Sequence, residues 1–189
     1  MTHKTVSSTR TETSQVVTPG DANFLGKVFG GAILSMIDLC AYATASRFAG
    51  NIAVTASIDR VDFHEPIEVG EVVTCVGRVT YVGRTSMEVT IEVFAENVLA
   101  GTRRQTNTAR VTTVAIKDGK PVEVPRLVCE TREEKAQFLE AKVRRERRKA
   151  WSARQESLAA AIRALSDEEL DALIQAQSLE GFLARQEGA

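Results

Sequence analysis

Between Gly31 and Ala49 nearly every residue is apolar or small, and a helix with no polar face has to be covered on all sides. Ile33, Leu34, Ile37, Ala41 and Thr44 keep helical spacing, while Met36, Leu39, Cys40 and Ala43 fill the other faces. The rest of the chain must therefore wrap this segment. One acid, Asp38, sits inside it. An ionised carboxylate there is costly to desolvate unless it has a hydrogen-bonding neighbour or a chemical task. Gly30 and Gly31 stand at the helix entrance, where first-turn amides have no intrahelical acceptor and the helix dipole favours negative charge. A carbonyl or oxyanion could be held at that entrance, with Asp38 about two turns further in.

The flanking sequence supplies the wrap. Residues 1 to 10 are Ser/Thr-rich and expected to be mobile, Glu12 to Thr18 reads as an edge strand, and Pro19-Gly20 ends it. After a helix stop at Ala49-Gly50-Asn51, residues 52 to 63 read as a strand with a local irregularity, closed by Pro66. Glu71 to Val82 and Thr85 to Val98 are rich in Val, Thr and Ile and meet at a Gly83-Arg84 hairpin turn. Arg103 to Lys117 alternates polar and apolar residues, and Asp118 to Pro121 turns the chain out of the sheet. One helix and four long strands predict an α+β domain with the helix on one sheet face.

From about Glu130 the sequence shifts to helix formers and charge. Two helices are expected, the second started by the capping box Ser166 to Glu169 and carrying Leu170, Leu173, Ile174, Phe182 and Leu183 on one face. Phe138, Trp151, Leu158, Ile162 and Leu165 give the first its stripe, interrupted by the basic run 144 to 149. Residues 131 to 165 hold ten basic and five acidic side chains, and residues 166 to 189 one basic and six acidic. An antiparallel hairpin of opposite charges follows from that arrangement.

The segment Asp21 to Asp38, with its Asp-Ala-Asn, Gly-Gly and Met-x-Asp, resembles the catalytic segment of the hotdog-fold acyl-CoA thioesterases, the group that includes the cytosolic acyl-CoA hydrolases. The likeness continues through Val54 to Val73, Gly83 to Val89 and the strand from Ala109, and covers roughly residues 12 to 127. It implies an antiparallel sheet wrapped around a central helix, with residues 1–11 as a flexible lead, 12–128 as the hotdog domain and 129–189 as a helical extension. It also implies acyl-CoA as substrate, paired subunits that assemble as a trimer of dimers, and a place in fatty acid metabolism. By the same resemblance Asp38 is the catalytic acid, acting as general base on water or as nucleophile. Asn23 works with it across the subunit pair, and the amide of Gly31, beside Gly30, meets the thioester oxygen. Coenzyme A contacts are implied at Arg84, Thr85 and Ser86, where a guanidinium and hydroxyl or amide donors suit phosphate. Arg103 and Arg104 are weaker candidates.

Composition removes other classes. Twenty-four basic and twenty-five acidic residues give a net charge of −1, so no global field points to nucleic acid or a membrane. Cys40, Cys75 and Cys129 are widely spaced, which argues for a reducing compartment and a cytoplasmic location rather than a disulfide framework. No His/Cys/Asp cluster has ligand spacing, so neither a metal nor a redox cofactor is expected. No apolar run suits a signal peptide or a membrane span. His64 lies at a strand end and is not expected to be catalytic, and Cys40 reads as core. Two rivals stay open: a non-catalytic acyl-CoA sensor of the same fold, and a scaffold in which the tail dominates.

Overall fold

Residues 3–63 and 65–187 are described by a computed structural model, in which α1 (Gly30–Ala49) is covered along one side only. Ile33, Ile37, Cys40, Ala41, Thr44, Ala45 and Phe48 are buried, whereas Ser35, Leu39 and Tyr42 form an open strip, Leu39 61% and Tyr42 46% exposed. Burial on all sides is thus corrected. The strands cover one helix face, and the apolar Leu39 and Tyr42 on the other are exposed.

In chain order the strands are β1 (His3–Thr5), β2 (Thr11–Val16), β3 (Ile52–Ile58), β4 (Val72–Val82), β5 (Ser86–Asn97), β6 (Thr102–Lys117), β7 (Lys120–Pro121) and β8 (Arg126–Val128). The main sheet runs β2-β4-β5-β6-β3, every neighbouring pair antiparallel. Met87, Val89, Ile91 and Val93 of β5 and Ala109, Val111 and Ala115 of β6 alternate into one core with the buried face of α1. At Gly77 of β4 an added Cβ would lie 2.4 Å from Thr44 Oγ1 and 3.1 Å from Cys40 Sγ, so only glycine lets helix and strand approach this closely.

Several expected boundaries move. Residues 3 to 9, expected to be mobile, carry β1 in parallel pairing with β8, and Lys4 donates to the carbonyls of Arg47 and Phe48 at the end of α1 (2.9 and 2.7 Å). The strand after the helix ends at Ile58 rather than Phe63, and its irregularity is a register shift between Thr55 and Ser57 that leaves Ala56 unpaired. Asp118 and Gly119, at φ 51° and 75°, close a hairpin that returns Lys120–Pro121 to the sheet instead of leaving it.

The tail holds three helices where two are expected: α2 (Arg132–Arg163), α3 (Asp167–Gln175) and α4 (Glu180–Glu187). Two compact units divide inside α2, between Ala141 and Lys142. In the first, the Phe138 ring packs on Tyr81 with centroids 4.9 Å apart. In the second, the Ser166–Glu169 box forms as expected, Ser166 Oγ accepting from Glu169 N and Glu169 Oε2 from Ser166 N. Phe182 is buried there, but Trp151 and Ile174 are 63% and 79% exposed, so the tail's apolar stripes are largely open. No helix among the described residues is long and apolar enough to cross a membrane.

Candidate active site

The loop before α1 is built around Asn23. Its side-chain oxygen accepts from Leu25 N (2.9 Å) and Lys27 N (3.2 Å), its own amide donates to Lys27 O (2.7 Å), and Gly26 N donates to Asn23 O (3.0 Å). This is an Asx turn, the conformation for which Asn beside Asp and Gly is suited. The Asn23 oxygen is consumed by the loop, and its side-chain NH2 has no acceptor among the described residues. Asp21 closes the preceding turn: the Thr18 hydroxyl and amide donate to its Oδ2 and hold its carboxyl below the usual range. The loop docks on residues 67–68, through Val28 N to Ile67 O (2.9 Å) and an ion pair of Lys27 with Glu68.

Phe29 caps α1 without a side-chain bond, and Gly30 and Gly31 follow as the first helical residues. Their amides find no acceptor among the described residues, as expected for a first turn. A Cβ added at Gly31 would fall 2.2 Å from the Phe29 ring, which is 58% exposed and would have to swing aside. A cavity of about 330 Å³ opens beside this entrance, lined by Asn23, Val28, Gly30, Ile33, Phe63 and Ile67 among others. Asn23 and Gly30 therefore share one space, whereas Gly31 does not border it.

Asp38 faces elsewhere. It lies partly exposed beside the open strip of α1, and its Oδ1 accepts a 2.6 Å hydrogen bond from Thr55 Oγ1 on β3. The single chain does not bring Asp38 into the cavity of Asn23. Thr55 escapes the sequence reading, since threonine is an ordinary strand residue. The only signal for it was the irregularity of β3, which shifts register just after Thr55.

The Gly83–Ser86 turn is closed by Gly83 N to Ser86 O (2.7 Å) and covered by the backbone bonds Ala115 N to Thr85 O (2.9 Å) and Val124 N to Arg84 O (3.1 Å). Met87 pairs with Thr113, which pairs with Thr55, so the turn lies at the Thr55 end of the sheet. Two strand spacings separate them, roughly 10 Å. The Arg84 side chain is exposed and has no ionic partner among the described residues. Arg103 and Arg104 are otherwise engaged: Arg103 lies over the Phe94 ring at 4.5 Å, and Arg104 forks onto Glu71.

Cys40 and Cys75 are buried, and burial pushes both thiols up, Cys75 to about 12, so neither is a ready nucleophile. Among the described residues no three His, Cys, Asp or Glu side chains gather as a metal set. His64 lies outside the described residues.

Residues 25–101 match the sequence profile of the thioesterase superfamily. An uncharacterized acyl-CoA thioester hydrolase of Bacillus subtilis is 44% identical over 124 residues, covering 65% of this chain and 72% of its own. The structure of an apo hexameric acyl-CoA thioesterase superposes with a TM-score of 0.77 at 42% identity, over 81% of this chain and 99% of that one. The acyl-CoA hydrolase of Staphylococcus aureus, solved with butyryl coenzyme A, coenzyme A and coenzyme A disulfide, gives 0.75 at 34% identity, over 85% and 98%. Variants of that hydrolase with an asparagine, an aspartate or a threonine changed to alanine match equally, and the three changed positions are separated by the same 15 and 17 residues as Asn23, Asp38 and Thr55.

Proposed function

The chain belongs to the thioesterase superfamily and has its hotdog fold, and from that premise we propose that it hydrolyses acyl-CoA to free coenzyme A and a carboxylic acid. The observation that carries the reading is the Thr55 to Asp38 hydrogen bond at 2.6 Å. It fixes a carboxylate at the edge of an open helix strip, where a second subunit can bring its own Asn23 loop. The equal spacing of asparagine, aspartate and threonine in the Staphylococcus aureus hydrolase variants supports the same three positions.

In this site Asp38 either takes the proton of the attacking water or attacks the carbonyl itself, and Thr55 holds the carboxylate for either role. Asn23, with its oxygen consumed by the loop, donates from its NH2 to the water or the acid. The first-turn amides at Gly30 and Gly31 receive the charge that builds on the thioester oxygen as the nucleophile adds to the carbonyl. The charge returns to the carbonyl as the carbon–sulfur bond breaks and coenzyme A leaves as the thiolate, which takes up a proton. Arg84 meets the phosphates of coenzyme A, with Thr85 and Ser86 beside it. The protein works as a homo-oligomer, a dimer that associates further into a trimer of dimers, in line with the hexameric relative. The cytoplasm suits its three free cysteines, and the chemistry calls for no metal or redox group. Steady hydrolysis of a panel of acyl-CoA chain lengths by the purified protein tests the proposal. Binding of acyl-CoA without turnover would make it a sensor.

A further inference from the structure

We infer that Arg104 is a positioning residue for the reaction, holding the Asn23 loop in place through Glu71 and the wall of the cavity; the inference rests on the role of Asn23 proposed above. Arg104, on β6, places Nη1 2.6 Å from Glu71 Oε1 and Nη2 2.8 Å from Glu71 Oε2, a bidentate fork onto a buried carboxylate. The same guanidinium donates from Nη2 to Pro66 O (2.8 Å) and pairs through Nε with Glu65 (3.1 Å). Glu71 returns the tie: its Oε2 accepts from Glu68 N at 2.9 Å, and its carbonyl accepts from Val17 N at 2.9 Å.

One side chain thus anchors three points of the segment from Glu65 to Glu71. That segment carries the loop, because Val28 N donates to Ile67 O and Lys27 pairs with Glu68. Lys27 is in turn the residue whose amide binds the Asn23 side chain and whose carbonyl takes the Asn23 amide. A continuous run of bonds therefore leads from β6 to Asn23, and Glu65, Pro66 and Ile67 along it also line the cavity. Lysine could replace the charge but not the fork, since an ammonium cannot meet both oxygens of Glu71, Pro66 O and Glu65 in one plane.

A double-mutant cycle on the full oligomer tests this. Arg104→Lys should lower kcat about 10-fold with KM within about twofold of wild type. Asn23→Ala should lower kcat about 100-fold in the wild-type background but less than about threefold in Arg104→Lys, because the loop is already misplaced. A simple loss of stability would instead leave the Asn23→Ala factor intact in both backgrounds, and that result overturns the inference. If Asn23→Ala has no effect in wild type, the proposed role of Asn23 fails instead. Should Arg104→Lys lose its cooperative melt, Glu71→Gln replaces it in the same cycle. Should both unfold, hydrogen exchange of the wild type decides: the Val28 and Glu68 amides should open together, and independent opening overturns the link.

Discussion

The two halves of the candidate site are built differently. On the Asn23 side the backbone amides of Asn23, Gly26, Val28 and Phe29 are hydrogen-bonded, and the loop is tied to the segment beyond β3. On the Asp38 side a single hydrogen bond from Thr55 holds the acid, beside Leu39 and Tyr42 on an open helix strip. The loop carries its geometry within the chain, whereas the acid sits beside a strip that is exposed in the chain alone, which is where the proposed function places a second subunit. Under the proposed function, that contrast is what a shared, inter-subunit site requires: a rigid donor from one chain and an acid completed by the next.

The sharpest way to break this contrast is Asp38→Asn, which keeps the shape and the Thr55 contact but removes the charge. Turnover should fall by about 100-fold or more while coenzyme A binding by calorimetry persists. Near-normal turnover would take the acid out of the reaction. A mixture of inactive Asn23→Ala and Asp38→Asn proteins, after verified subunit exchange, should then recover about a quarter of wild-type activity, because half the pairs are hybrids with one intact site in two. Absence of recovery would put both residues to work within one chain.

Thr55→Val deletes the one tie on the acid and should lower kcat about 10-fold with little change in KM. An unchanged kcat would mean that the partner surface, not Thr55, orients the carboxylate. Smaller still is Arg84→Ala, which should raise KM a few-fold and leave kcat near wild type, as for a contact made equally in ground and transition states. Added salt should weaken wild-type binding in the same direction.

The smallest effect concerns the loop side and pH. The Arg104 fork, ahead of a bond from the Glu68 amide, holds the Glu71 carboxyl below its ordinary 4.5 despite burial. A depressed acid contributes stability that is complete above the unfolded value and lost as pH falls through the folded one. The melting temperature of the wild type should therefore decline more steeply below pH 4.5 than that of Glu71→Gln, and parallel curves would deny the pair its role.

Much of this was legible in the residues themselves. The acid at Asp38 and the Gly-Gly entrance were visible because each breaks a local rule, charge in an apolar helix and adjacent glycines at a helix start, and the Asn23 turn because Asn beside Asp and Gly follows one. Thr55 was not, since a threonine in a strand breaks none. The open strip of α1 was hidden for another reason: apolar spacing tells that a face will be covered, not by which chain. The split of the last helix into α3 and α4 was missed because Ala176 to Leu179 contains no glycine or proline to announce it. Residues 3 to 9 looked mobile on composition alone, yet the tie from Lys4 to the end of α1 depends on carbonyls more than forty residues away.

The parallel pairing of β1 with β8 also sets an order of events during synthesis. His3–Thr5 meets Arg126–Val128, so the first strand has no partner until β8 has left the ribosome, many seconds later at roughly 5 to 20 residues per second. Until then the edge of β1 is open to other chains.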